Sequence, residues 1–271
     1  MAALLKTSRR VFVAGHRGML GSMVRRVFQR AGWDVIVSPC RFGGSEQSKL
    51  LRAVRDADCD VVVNCLGLTD GTAPPQRLWK ANVLWPLFLR RETPKAYLIH
   101  ASTNGVFSGI RGAYRVEDCP DAVDPYGLSK RVGEFLVQSS SSKVTILRAS
   151  IIGPARRGHG LLAWYCSQRV AVLGYTDQQW NGVTTLTWAE EALQLARQPP
   201  TERPAGLQHL ATRRTISKGH LLECIRLTPG LGGPPVTLVP SGHPSSRTLR
   251  PTLFAPLITQ QLDALRDWLR R

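Results

Sequence analysis

Tyr126 and Lys130 stand in the run YGLSK, one helical turn apart on a common face, which sets an ammonium beside a phenol. A free phenol titrates near pH ~10, too high for ready proton exchange at neutrality. A neighbouring cation favours the phenolate, so Lys130 is expected to lower the Tyr126 pKa and make the phenol a workable acid or base. Far upstream, VFVAGHRGMLGS (11–22) sets Gly15, Gly18 and Gly21 three apart between an apolar run and an amphipathic one. Such a loop turns sharply at its first glycine, admits a pyrophosphate at its second and packs helix on strand at its third. The helix start at Met19 and Leu20 then offers unpaired N–H groups to the phosphates. Arg17 lies inside this loop and Arg41 beyond the next apolar run, where an NAD-binding chain would carry an acidic residue. A guanidinium suits a ribose 2′-phosphate, so the expected cofactor is NADP(H), with Arg17 and Arg41 as its clamps.

These groups need a frame, and the hydrophobic pattern supplies one. RRVFVAG, WDVIVS, DVVVNCLG, AYLIHAST and KVTILRAS read as strands. Between them, GMLGSMVRRVFQRAG, SEQSKLLRAVRDA, PQRLWKANVLWPLFLRRE and YGLSKRVGEFLVQSS read as helices. Strict alternation of this kind predicts an α/β fold with a doubly wound parallel sheet covered on both faces. After about residue 151 the pattern loosens into loops, a strand at GLQHLAT and a closing helix at LITQQLDALRDWLRR. Residues 8–153 are therefore expected to bind the cofactor. Residues 154–271 are expected to form mainly a smaller substrate-binding lobe, some segments returning to the sheet.

Composition narrows the partners. With 36 Lys and Arg against 19 Asp and Glu the chain carries +17, a field that attracts anions. The basic residues come as scattered pairs such as Arg9-Arg10 and Arg213-Arg214 with no nucleic-acid-binding motif, so the surface is read as generally basic and nucleic acid is not expected as a partner. The six cysteines form no C-x-x-C pair, which predicts reduced structural thiols, a cytoplasmic protein and no metal centre. No apolar run approaches the ~20 residues that cross a bilayer, so no membrane is expected, and a homodimer is left open.

The glycine spacing resembles that of extended short-chain dehydrogenases/reductases, and AGHRGMLGS is similar to the corresponding loop of GDP-L-fucose synthases, which use NADPH. LIHASTNGVFSG (98–109) resembles the S-T-D-x-V-F-x-G segment of dTDP-4-dehydrorhamnose reductases. Matching Val106 and Phe107 puts Thr103 at the catalytic hydroxyl position, Ser102 beside it, and Asn104 where that family has Asp. NCLGLTD, ANVLWP, LRASIIGP and WNGVTTL extend the likeness over about residues 9–223. The resemblance implies a Rossmann-like fold and a reductase of a nucleotide-linked 4-keto-6-deoxy sugar, with Thr103, Tyr126 and Lys130 catalytic. It also implies that Lys130 holds the nicotinamide ribose and that Asn64, Leu66 and Gly67 run past the cofactor. Ser102, Asn104, Arg156, His159, Trp180 and Asn181 are expected at the sugar nucleotide. The alternatives are an epimerase/reductase of the same superfamily and a non-catalytic cofactor-binding subunit.

Overall fold

In the computed structural model, which describes residues 9–38, 47–140, 143–155 and 160–271, the apolar runs pair as parallel strands. The first five are β1 (Arg10–Ala14), β2 (Asp34–Ile36), β3 (Val61–Asn64), β4 (Tyr97–Thr103) and β5 (Val144–Ala149). Two later strands complete a seven-stranded sheet in the order Leu253–Ala255, Gly206–Thr212, β5, β4, β3, β1, β2. Every pairing in it is parallel. The chain leaves β1 toward β2 at one edge, then crosses back to lay β3 on the other side of β1. An open parallel sheet binds its ligand at such a switch point, outside the carboxyl ends of the strands.

The helices are α1 (Met19–Arg30), α2 (Gln47–Arg55), α3 (Pro75–Trp79), α4 (Trp85–Glu92), α5 (Pro125–Ser139), α6 (Leu161–Ser167), α7 (Thr185–Arg197), α8 (Lys218–Leu227) and α9 (Ile258–Arg270). Successive strand side chains point to opposite faces. Val11 and Val13 of β1 accordingly pack with Val24 and Phe28 of α1, Trp188 of α7 and Leu262 of α9. Phe12 and Ala14 pack with Leu50 of α2, Trp85 and Leu89 of α4 and Val137 of α5. Both faces of the sheet are thus covered, as the alternating pattern predicts, and the fold is α/β and Rossmann-like. The C-terminal half supplies α7 and α9 to one of these layers. It also forms a small sheet outside them, in which Ile216–Ser217 and Ser245–Ser246 flank Gln178–Trp180. No helix among the described residues is long and apolar enough to cross a membrane.

One element differs from its sequence expectation. Residues 75–92 read as a single helix, but Lys80–Leu84 is π-helical, with the Trp85 N–H bonding back to the Lys80 carbonyl. Pro86 has no N–H to return to the carbonyl of Asn82, and the ladder widens where that bond is missing. The freed carbonyl lies against α5, where a Cβ built on Gly133 would approach it to 2.0 Å. Gly133→Ala is therefore expected to overpack this contact and lower the unfolding free energy by about 1–3 kcal/mol, measured as a fall in the urea midpoint; an unchanged midpoint would show that the two helices are free to separate.

Candidate active site

The glycine loop joins β1 to α1 at the switch point. Gly15 has φ +77, and a Cβ on it would meet the Leu66 amide nitrogen at 2.7 Å. A Cβ on Gly21 would lie 2.2 Å from the Gly15 carbonyl oxygen. Neither position accepts a side chain, so loop, helix and the β3 loop are packed backbone to backbone. No side chain caps α1 and no acidic residue stands in its first turn, which leaves its leading amides and dipole open to an anion. Beside them is a cleft of about 460 Å³ bordered by Ala14–Gly18, Leu66, Gly67, Leu68, Arg77 and Lys80. Its floor is apolar, with Phe12, Leu50 and Trp85, and Arg17 stands exposed at its rim. Close backbone, open amides and flanking cations together fit a dinucleotide. Met19 and Leu20 follow the loop as expected, but Leu20 turns its side chain into the core, leaving only backbone to serve a phosphate. Arg41 lies outside the described residues.

Leu66, Gly67 and Leu68 are held over the cleft by side chains behind them. Asn82, displaced inward by the π turn, accepts from the Leu68 N–H at 2.9 Å and donates to the Leu68 carbonyl at 2.9 Å. It also donates to Ser129 of α5. Asn64 is wholly buried, and its amide is taken up by the Leu66 N–H, the Trp85 indole and His100. Its expected place at the cofactor is corrected: it shapes the loop from beneath. Asn82 was overlooked among the site residues, and its signal was Pro86 four residues on.

Helix α5 begins with Asp124 capping the Gly127 N–H at 2.9 Å and Pro125 in its first turn, an entry that suits a helix start. It carries Tyr126 and Lys130 against the end of β4. A Cβ built on Gly105 would lie 3.1 Å from Tyr126 Cε1 and 3.2 Å from Thr103 Oγ1, so phenol ring and hydroxyl meet across one glycine. Lys130 is buried and its Nζ donates to the Ala101 carbonyl at 2.9 Å. A Cβ on Gly67 would come within 4.0 Å of that same nitrogen, which joins the amine to the cleft. Thr103, Tyr126, Lys130 and Gly67 are thus brought together.

The electrostatics reverse one expectation. Burial pushes the Tyr126 phenol above its ordinary pKa, Asp124 and Glu134 add to the rise, and the Thr103 hydroxyl and Arg247 pull against it. Lys130 turns to a carbonyl, and desolvation outweighs any benefit to the phenolate. The phenol is held protonated, which equips it as a proton donor. Burial also keeps His100 beside Lys130 neutral.

Several expected substrate residues face elsewhere. Ser102 is buried and donates to Glu134 Oε1 at 2.5 Å; adjacent strand residues point to opposite faces, so Thr103 faces Gly105 and the Tyr126 ring while Ser102 faces Glu134. Glu134 is paired bidentately with Arg148, at 2.9 and 2.8 Å, and Arg148 lies over the Phe107 ring. Trp180 is buried with its indole on Ser150. Asn181 is spent on the Thr212 and Leu249 backbone. Both brace the C-terminal half instead of lining a pocket, since a buried polar group must be satisfied. Asn104 does stand next to Thr103, and its amide donates to the Arg247 carbonyl at 2.9 Å. Arg156 and His159 lie outside the described residues. No cluster among the described residues could hold a metal ion.

Burial brings the Lys130 pKa down to about 8, against the pull of Glu134. An amine that loses its proton more readily folded than unfolded burdens the fold below about pH 8, and the burden lifts as pH rises toward the unfolded pKa near 10.5, because the unfolded chain then binds more protons. Relative to Lys130→Met, the wild-type chain is expected to gain on the order of 3 kcal/mol across that window, read by urea unfolding at both ends; parallel curves for the two proteins would remove the buried charge from the account.

The comparisons with known proteins agree with this geometry. A family model described as the RmlD substrate binding domain matches residues 9–264. Spore coat polysaccharide biosynthesis protein SpsK of Bacillus subtilis is 28% identical over 74% of this chain and 73% of its own. Methionine adenosyltransferase 2 subunit beta of Pongo abelii is 30% identical over 54% of this chain, and the match spans only 47% of that relative's length. Among solved structures, dTDP-4-dehydrorhamnose reductase from Bacillus anthracis in complex with NADP superposes with a TM-score of 0.81 at 16% identity, covering 98% of this chain and 100% of that one. The chain belongs to the RmlD substrate binding domain family and has the fold of the dTDP-4-dehydrorhamnose reductases.

Proposed function

We propose that the protein is an NADPH-dependent reductase of a nucleotide-linked 4-keto-6-deoxy sugar, working in polysaccharide or deoxysugar synthesis. The observation that carries this reading is the meeting of Thr103 and Tyr126 across Gly105, with the Lys130 amine bridging to Gly67 at the cleft. Family membership, the NADP in the Bacillus anthracis reductase and the role in SpsK's name support it. The glycine loop and the α1 amides would hold the cofactor's pyrophosphate, Arg17 its 2′-phosphate and Lys130 its nicotinamide ribose. When bound, the reduced nicotinamide supplies a hydride.

The chain's own residues do the rest. Thr103 donates a hydrogen bond to the keto oxygen and fixes its position as negative charge grows there. Tyr126, kept protonated by its surroundings, transfers its proton to that oxygen as the carbon is reduced, so the ketone becomes an alcohol. Lys130, mostly ammonium below about pH 8, steadies the phenolate left behind. The segments of 154–271 outside the main sheet would form the substrate lobe and close over the sugar.

A second reading, a cofactor-holding subunit without turnover, is favoured by the likeness to the methionine adenosyltransferase subunit. Turnover separates the two. Tyr126→Phe is expected to lower the rate of NADPH oxidation with a keto-sugar nucleotide by roughly 10²–10⁴-fold while NADPH affinity, followed by nicotinamide fluorescence, stays near wild type. Full activity in that variant would remove the phenol from its role, and a wild-type chain that binds NADPH yet turns over no sugar nucleotide would favour the subunit. Arg17→Ala is expected to weaken NADPH by roughly 10-fold with little effect on NADH; equal losses would show that Arg17 does not read the 2′-phosphate.

A further inference from the structure

Lys130 and Glu134 stand one turn apart on the buried face of α5, an ammonium and a carboxylate at the spacing where a helix ordinarily pairs them. They do not pair. Lys130 Nζ donates to the Ala101 carbonyl at 2.9 Å, and Glu134 Oε1 accepts from the hydroxyl of Ser102, the next residue along β4, at 2.5 Å. The two charges thus end on neighbouring residues of one strand without meeting. What holds the carboxylate off is Arg148 of β5, whose Nε and Nη2 grip its two oxygens at 2.9 and 2.8 Å.

Arg148 is fixed from its far side in turn. Its guanidinium covers the Phe107 ring, and its Nη1 lies 3.5 Å from His209 Nε2. The His209 ring donates from Nδ1 to the Arg250 carbonyl at 3.2 Å, which leaves Nε2 as the acceptor a guanidinium needs. Burial and the Arg148 charge bring the His209 pKa down to about 4, so that acceptor persists at neutral pH.

Few charges face the Lys130 amine. Tyr126 and Glu134 come from its own helix, and from β4 comes His100, which burial keeps neutral. The π turn packed on α5 offers the uncharged Asn82, which bonds to Ser129, and β5 offers only Arg148, already engaged with Glu134. A buried carboxylate stripped of its guanidinium must find another cation or a proton. Helical spacing makes Lys130 that cation.

Resting on the reductase reading, we infer that Arg148 and Ser102 are positioning residues: they hold the Glu134 carboxylate away from Lys130, so that the amine keeps its place on the Ala101 carbonyl beside Gly67 and the cleft, while the carboxylate's field still favours the ammonium. Direct pairing would instead draw the amine along the helix, away from the nicotinamide ribose it is proposed to hold.

The test follows the titration of the Lys130 ε-methylene by proton–carbon NMR in the full chain without cofactor, assigned against K130M. R148M is expected to raise the midpoint by about one to two pH units as Glu134 swings onto the amine. E134Q/R148M removes both charges, is expected to fold near wild type, and should lower the midpoint by about one unit. S102A keeps the ion pair and loosens one tether, so a smaller rise is expected. NADPH affinity, read by nicotinamide fluorescence, should fall roughly 10-fold in R148M and recover in E134Q/R148M. Midpoints that stay at wild type, or that move the same way in R148M and the double variant, overturn the assignment; if R148M does not fold, an unchanged midpoint in S102A does so. A wild-type chain that binds no NADPH overturns the reductase reading instead, and the Lys130 titration still decides the role of Arg148.

Discussion

The seat of α5 on the sheet decides most of this site, and a buried ion pair holds it. Glu134 on α5 meets Arg148 on β5 through two charge-assisted hydrogen bonds, and Ser102 on β4 adds a third. Both charges are almost wholly removed from water. Such a pair adds little net stability compared with apolar packing, but loss of one partner leaves an uncompensated charge in the core. Its worth lies in geometry. It locks the rotation of the helix that carries Tyr126 and Lys130, and it does so from β4 and β5. Lower on the same helix, Gly133 admits the Asn82 carbonyl, so one helix registers both the Tyr126–Lys130 pair and the loop that Asn82 holds over the cleft.

Desolvation, more than pairing, sets the charges at Tyr126 and Lys130. The same burial that raises the phenol lowers the ammonium, because each is penalised in its charged form. The two effects would suit the proposed reduction: the tyrosine keeps a proton to give, and the lysine titrates near pH 8. Thr103 serves the phenol and would serve a ketone through the same hydroxyl, which is why its contact across Gly105 matters more than the spacing of Tyr126 and Lys130.

Legibility differed by the range of the interaction. The glycine loop was readable because its demands are local: a positive φ at Gly15 and missing Cβ atoms at Gly15 and Gly21 are properties of adjacent residues. Strand and helix order was readable because burial on two faces imprints a period on the chain. Ser102, Trp180 and Asn181 were misread for one reason: residue type announced polarity or aromaticity, and only the pleat and the partners showed that each faces inward. The π turn at Lys80–Leu84 was written in Pro86, yet it makes sense only beside Gly133 of another helix.

By itself the sequence determined the α/β layering and the glycine turn between β1 and α1, since these rest on periodic burial and on local spacing, and it set Tyr126 and Lys130 one helical turn apart; Thr103 entered through the resemblance of its segment to a known family. Tertiary structure alone decided which polar side chains are buried and satisfied inward, the sign of the Tyr126 shift and the company of Arg247. Those depend on desolvation and on contacts between residues more than a hundred positions apart, such as Asn104 with Arg247, and no local pattern encodes the distance between two segments that meet only when the chain is folded.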